Sequence, residues 1–257
     1  IVDEASQAFL PTLFALKAMS KHFLVVGDPQ QLPPVVIRDR DSPVLDKQKL
    51  LLQPDYTQVK YRNFIEGFNT YTLFYSKNRT LFFLFQSYRL TKIACELTTT
   101  LYSDSGVYVE SIAEYPKYTI EGYLSSEGTI AIQCSEEPEQ LIQQIVTNFT
   151  QKYPLYSLAV LIPTKEKLRK IGGGIRRNCM MLDRVLIETV DRVQGLTVDC
   201  TIYYVPHDTH FCWDERRFNV ATSRSRGLTF LLYKSKLFAS EKVQKYIEKS
   251  RKMQLSK

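Results

Sequence analysis

Short apolar runs recur along this chain about one helix apart, and that rhythm limits the folds open to it. The runs are HFLVV at 22–26, LFFLF at 81–85, TIAIQ at 129–133, LAVLI at 158–162, VLIE at 185–188, TIYYV at 201–205 and LTFLLY at 228–233. Residues 1–2 read as the end of one more. Runs without polar alternation mark strands buried on both faces. Between them lie stretches at helical spacing: residues 5–19, 91–102, 137–151, 165–171 (with Thr164 as cap) and 240–251. Pro11 has no N–H to donate, so it belongs in the first turns of its helix. The alternation predicts an α/β fold, a parallel sheet with helices on both faces. In such sheets sites gather at the carboxyl ends of strands. Polar clusters that directly follow an apolar run therefore carry the chemical reading.

Residues 38–79 break the rhythm: a polar start (RDRDSP) leads into a Tyr-rich stretch of no steady period. The expected organisation is a trailing part of one domain at 1–37, a connector at 38–79 and a complete second domain at 80–257. With 14 Phe, 16 Tyr and 1 Trp the chain is far from a disordered composition. The most apolar stretch, residues 64–85, is interrupted by Glu66, Lys77 and Arg79, so no membrane span is expected. The chain opens on Ile-Val-Asp-Glu with no starting Met and no basic leader, and it reads as cut from something longer. Cys95, Cys134, Cys179, Cys200 and Cys212 include no C-x-x-C pair, so a reducing, cytoplasmic setting is expected. The net charge is +7; it permits a polyanion partner without requiring one.

Two clusters follow the first two runs. Asp3-Glu4 places adjacent carboxylates at a strand end, which is costly unless a cation is nearby. One carboxylate can hold Mg²⁺ through its water shell while the other orients a water; equally, both can be an acidic helix start favoured by the dipole. Gly27-Asp28-Pro29-Gln30-Gln31-Leu32-Pro33-Pro34 forms a rigid turn with amide side chains. One helix and one strand separate the clusters, which puts them on the same sheet edge.

DEASQ followed by GDPQQLPP resembles motifs II and III of superfamily 1 helicases, in particular the Upf-like branch. Further segments continue the resemblance in order. QSYRL at 86–90 is similar to motif IV, and LIPT at 161–164 to a segment that touches the nucleic-acid backbone. ETVDRVQG at 188–195 is similar to motif V and RFNVATSRSR at 217–226 to motif VI. The resemblance runs from Ile1 to about Tyr233. It implies RecA-like domains, ATP and Mg²⁺ as cofactors, and a single-stranded nucleic-acid partner, DNA favoured over RNA. It further implies ATP bound in a cleft between two domains and 5′-to-3′ translocation.

By the same resemblance Asp3 holds the Mg²⁺ of Mg-ATP, Glu4 polarises the attacking water and Gln31 senses the γ-phosphate. Arg89 and Arg224 reach the phosphates, where planar, always-charged guanidinium groups suit phosphoryl transfer. Gly195 lets the backbone approach a phosphate; Arg226 either contacts the nucleotide or braces Arg224. Pro163, Thr164, Thr189 and Arg192 lie toward the nucleic acid. Two positions depart from the pattern: Thr197 stands where relatives often carry an acid, and Ser223 where they carry Thr.

No G-x-x-x-x-G-K-[ST] occurs in the sequence. The Gly172-Gly173-Gly174 cluster lacks the Lys-Ser/Thr of that motif and reads as a flexible basic loop or a helix end. In this family the phosphate loop lies upstream, so the expected partner is an N-terminal helicase half of the same protein, and the chain alone is expected to hydrolyse ATP negligibly. The His207, His210 and Cys212 group does not have the spacing of a standard zinc site. Tyr102, Tyr108, Tyr115, Tyr118 and Tyr123 are open to either surface packing or base stacking. Two other readings remain: a non-catalytic helicase-like clamp, and the translocase part of a helicase-nuclease.

Overall fold

Pro11 fixes where the first helix begins. The computed structural model describes residues 1–34, 83–113, 127–178 and 182–254, and the chain divides into two units, Ile1–Phe82 and Phe83–Lys257. In the first unit a 3-10 turn at Ala5–Gln7 precedes helix α1 (Leu10–Ala18), which carries Pro11 in its first turn. The single helix expected over 5–19 is therefore split. Leu13 is buried with Ala5 against Val2, Ala8, Phe23 and Val25, while Phe9, Phe14 and Leu16 stay exposed. The strand expected at 22–26 is reduced to one parallel bridge, Val2 to Val25. The 38–79 connector and most of the 81–85 run lie outside the described residues.

The second unit is built on six parallel strands: β3 (Gly128–Gln133), β4 (Leu158–Leu161), β5 (Val185–Glu188), β6 (Val198–Val205), β7 (Ser225–Tyr233) and β8 (Arg251–Gln254). Their order is β5-β4-β6-β7-β3-β8. A separate pair, β1 (Gln86–Ser87) with β2 (Glu110–Ser111), is also parallel, so pairing begins just after the 81–85 run. The helices are α2 (Lys92–Thr99), α3 (Glu139–Lys152), α4 (Lys165–Asn178), α5 (Glu215–Thr222) and α6 (Glu241–Lys249). The expected α/β parallel sheet is present.

Alternation along β6 explains its burial on both faces. Cys200, Ile202 and Tyr204 join Ile142, Ile145, Val146 and Phe149 of α3 and Ile171 and Ile175 of α4 in one core. Tyr203 turns the other way, toward an aromatic layer. Its ring centroid is 6.0 Å from Phe218 of α5, and Phe218 is 5.0 Å from Tyr246 of α6. The polar tips in this layer are satisfied: Tyr203 donates to the Cys212 carbonyl and Tyr246 shares a 2.8 Å hydrogen bond with Thr129.

The glycine cluster is the largest local correction. Gly172-Gly173-Gly174 lies inside α4 rather than in a loop. A Cβ on Gly172 would come within 3.2 Å of Ile187 Cγ2, and one on Gly174 within 2.6 Å of Gln143 Nε2. Gly172 lets α4 lie close to β5, whereas the Gln143 amide facing Gly174 ends a flexible side chain that can move aside; packing of α4 outweighs the poor helix propensity of the cluster. Gly173 meets nothing within 4 Å. Gly173→Ala is expected to stabilise the protein by about 0.5–1 kcal/mol, because it lowers backbone entropy loss without a clash. An unchanged or lowered thermal midpoint would refute a helix there. The last helix is likewise shorter than 240–251: Ser240 caps α6, and Arg251 starts edge strand β8 beside β3.

Candidate nucleotide and nucleic-acid sites

In the first unit the bridge is framed by Val2 N to Leu24 O (2.8 Å), Val26 N to Val2 O (2.8 Å) and Ala5 N to Val26 O (2.9 Å). This pairing sets Asp3 and Glu4 alongside Gly27-Asp28, as their spacing implied. Asp3 and Glu4 are both exposed, and Asp3 Oδ1 accepts from the Glu4 amide at 2.8 Å. Glu4 has φ 49° and ψ 37°, a left-handed conformation; no other non-glycine among the described residues has positive φ. That conformation costs an L-residue roughly 1–2 kcal/mol and is an outlier of the kind that clusters at functional sites. Asp28 organises the facing turn: its carboxylate accepts from Gln30 N (2.8 Å) and Gln31 Nε2 (3.0 Å). Sequence reasoning gave Asp28 no role; its position two residues before Gln30, as in an Asx turn, was the available signal.

In the second unit the candidate residues divide between the two edges of the sheet, which corrects the expectation that all follow carboxyl ends. Leu161 pairs with Glu188, so Pro163-Thr164 and Thr189 leave β4 and β5 side by side at the carboxyl edge. Gly195 precedes β6 and Arg224 precedes β7; Val198 pairs with Ser225, which puts both at the amino edge.

At the carboxyl edge Thr164 immediately precedes α4 and its carbonyl accepts from Leu168 N at 3.0 Å. Its hydroxyl makes no capping bond, contrary to the expected cap, and is buried without a partner. Thr189 is 6% exposed; its amide and hydroxyl donate to Glu188 Oε1 at 2.8 and 3.3 Å. Arg192 pairs with Glu188 at 3.3 Å and is otherwise largely in solvent. Burial raises the Glu188 carboxyl, but the bonds from Thr189 and Arg192 outweigh it and leave it below its ordinary value. Nearby, Glu137 accepts from Lys167 (2.9 Å), Lys234 (3.0 Å) and Tyr204 (3.0 Å). Against the upward pull of burial, these hold its carboxyl down at about 2.

At the amino edge Gly195 has φ +82° and open space where a Cβ would stand, so conformation rather than crowding calls for glycine. Arg224 is 3% exposed; its guanidinium donates to the carbonyls of Val220 (2.9 Å) and Leu196 (3.4 Å) and to Ser223 Oγ (3.0 Å). Arg89, two residues past β1, donates from Nη1 to the Ser223 carbonyl at 3.3 Å. The structure thus brings Arg89, Arg224 and the Gly195-Leu196 turn together around Ser223. Arg226 is more exposed and 4.0 Å from Asp199, whose other oxygen accepts from Ser157 N and Oγ at 2.9 and 2.7 Å. Asp199 is a second residue that sequence reading missed. The sequence places the apolar run at 201–205, and the strand in fact begins at Val198, so the carboxylate lies inside it and needs partners.

Of the His207, His210 and Cys212 group, the His210 ring packs 4.6 Å from Phe238 and Cys212 is buried. Among the described residues no three His, Cys, Asp or Glu side chains gather as a metal site, and no helix is long and apolar enough to cross a membrane. Tyr102 OH accepts from Asn219 Nδ2 at 2.9 Å, a packing role, and Tyr108 is exposed. Tyr115, Tyr118 and Tyr123 lie outside the described residues.

A parallel sheet with helices on both faces and polar turns at both edges defines an α/β domain. Two family models described as AAA domain match residues 1–39 and 122–246. Helicase sen1 of Schizosaccharomyces pombe is 25% identical over 259 residues, 90% of this chain and 14% of that protein. The DNA replication ATP-dependent helicase/nuclease DNA2 of Mus musculus is 25% identical over 267 residues, 90% of this chain and 24% of that protein. Replicase polyprotein 1ab of a bat coronavirus is 26% identical over 249 residues, 93% of this chain and 3% of the polyprotein. The chain belongs to the Upf-like branch of superfamily 1 helicases. It spans at most about a quarter of the length of these relatives.

Proposed function

We propose that the chain is part of a motor that couples ATP hydrolysis to translocation along, and separation of, nucleic-acid strands, with an upstream half supplying the phosphate-binding loop. The observation that carries this reading is the bridge in the first unit, which sets Asp3 and a left-handed Glu4 beside the Gln31 turn. The residues fit Mg²⁺: it is a hard cation that keeps several waters and binds through one or two carboxylates plus substrate phosphates. Bound there, Mg-ATP would supply a polarised phosphoryl group. Asp3 offers the carboxylate for the ion. Glu4, exposed at the strand end, accepts a proton from water. Gln31, its amide nitrogen held by Asp28, keeps its carbonyl oxygen for an incoming donor.

Arg192, largely in solvent beside Thr189, supports a backbone-binding role for the carboxyl edge, since its guanidinium can meet a phosphate. DNA is favoured over RNA because one relative is named as a DNA replication helicase. The 5′-to-3′ direction rests on the resemblance alone. Four buried free cysteines, Cys95, Cys134, Cys200 and Cys212, support a reducing, cytoplasmic setting. The test is ATPase in the protein carrying this chain and its phosphate-binding loop. Single-stranded DNA is expected to stimulate it, and duplexes with 5′ tails to be opened in preference to 3′-tailed ones. Absence of stimulation refutes the motor.

One observation favours a second reading, a non-catalytic clamp: each nitrogen of the Arg224 guanidinium already donates to a group within its own unit. Both readings share a binding prediction. Log K for a single-stranded oligonucleotide is expected to fall against log salt with a slope near −0.7 per phosphate, for a few phosphates. Anisotropy titrations across salt concentrations measure it. A sequence-selective affinity would mean that bases, not the backbone, dominate.

A further inference from the structure

The carboxyl edge carries an aromatic ring that the reading above leaves unused. Phe211, in the turn between β6 and α5, is 53% exposed. It is not loose. The Arg217 guanidinium carbon lies 4.1 Å from its ring centroid, a cation–π contact. The same guanidinium donates to the Phe211 carbonyl at 2.8 Å and to Asp191 Oδ1 at 3.0 Å. Arg217 is itself 8% exposed. One buried cation therefore backs the ring and ties it to the 3-10 turn Val190–Arg192, which follows Thr189 and ends on Arg192. The rest of the Phe211 turn is also braced. Asp208 accepts from Ser235 Oγ and from the amides of Leu237 and Phe238, and Tyr203 donates to the Cys212 carbonyl.

We propose that Phe211 is a base-stacking platform: a single-stranded nucleobase lies on its exposed surface while Thr189 and Arg192 meet the backbone. The inference rests on the nucleic-acid reading above and adds a contact to it. A ring already fixed by its neighbours loses little conformational freedom on stacking. Its flank is the motif V turn read above as meeting the nucleic-acid backbone: the Glu188 and Asp191 carboxylates there are neutralised by Arg192 and Arg217, and Arg192 stands largely in solvent within reach of a phosphate. Continuity with that turn favours a nucleic-acid strand over an apolar protein segment. Stacking is tolerant of sequence because every base has a π-face. It therefore adds affinity that salt does not remove, unlike the contacts of Arg192.

The test compares the full chain with its Phe211→Ala and Phe211→Trp variants in binding oligo-dT and an abasic oligonucleotide of equal length, over a range of salt. Phe211→Ala is expected to weaken oligo-dT binding about tenfold, within the range for loss of one stacked base. Its salt slope stays unchanged, and its affinity for the abasic strand equals that of the wild type. Phe211→Trp keeps the oligo-dT affinity. Arg192→Ala does the opposite, lowering the salt slope by about 0.7. Loss of the contact with Arg217 should lower the thermal midpoint of Phe211→Ala slightly, and a single cooperative unfolding transition checks that the fold is intact. If Phe211→Ala binds oligo-dT as the wild type does, the platform is refuted and the nucleic-acid reading stands; a protein partner on Phe211 would give this result. If the wild-type chain binds no oligonucleotide at low salt, both fall.

Discussion

Glu4→Gln, in the protein carrying this chain and its phosphate-binding loop, is expected to lower ATP turnover by about 10²–10⁴-fold, the range for loss of a general base. ATP affinity should stay within a few-fold. The substitution is nearly isosteric and preserves the left-handed backbone at φ 49°, as well as the amide bond to Asp3 Oδ1. It removes only the carboxylate's ability to take a proton. Asp3→Asn should behave differently: it weakens the hold on Mg²⁺, so its loss is partly recovered at high magnesium concentration. Single-turnover hydrolysis and nucleotide-binding titrations separate these effects. A Glu4→Gln enzyme within a few-fold of wild-type kcat would make Glu4 an acidic helix start and nothing more. The backbone strain at Glu4 already weighs against that role, because an ordinary helix start uses the β region.

The same residue shows what a sequence can and cannot disclose. The apolar runs at 129–133, 158–162, 185–188, 201–205 and 228–233 became strands of one parallel sheet, because a strand buried on both faces has to be apolar throughout. The Asp3-Glu4 and Gly27–Gln31 clusters were legible as neighbours, since one helix and one strand separate them. The conformation of Glu4 was not legible; nothing in Asp-Glu-Ala-Ser requires positive φ. Nor was the division of the candidates between two edges of the sheet. It depends on strand register, and pairings such as Leu161 with Glu188 and Val198 with Ser225 are made over long sequence distances. The three glycines misled for a related reason. Local propensity argues against a helix at 172–174, and of the three only Gly172 is explained by a close neighbour, Ile187. Asp199 and Asp28 escaped notice because their bonds, to Ser157 across 42 residues and to the Gln31 side chain across a turn, appear only in three dimensions.

Arg224→Ala and Arg89→Ala are each expected to lower kcat by about 10³, the lower end of the range for arginines that stabilise phosphoryl transfer. The structure predicts different side effects for the two. Arg224 is buried and satisfies the Val220 and Leu196 carbonyls. Its loss leaves the buried Val220 carbonyl with only a long bond from Ser223 Oγ and empties a buried site, at about 1–3 kcal/mol, so the thermal midpoint should fall together with activity. Arg89 is only half-buried, and its bond to the Ser223 carbonyl is long at 3.3 Å, so its loss should cost less stability than that of Arg224. Both side chains converge on Ser223, one on its carbonyl and the other on its hydroxyl. The double variant should therefore lose less than the product of the single losses, as coupled neighbours do. Arg224→Lys keeps the charge but not the planar set of donors, and should recover little turnover. The clamp reading makes the contrary claim: Arg224→Ala would lower the thermal midpoint and leave nucleotide kinetics unchanged. Measured side by side, kcat and thermal unfolding decide whether the guanidinium leaves its carbonyls to serve a phosphate or stays to hold the Gly195-Leu196 turn in place.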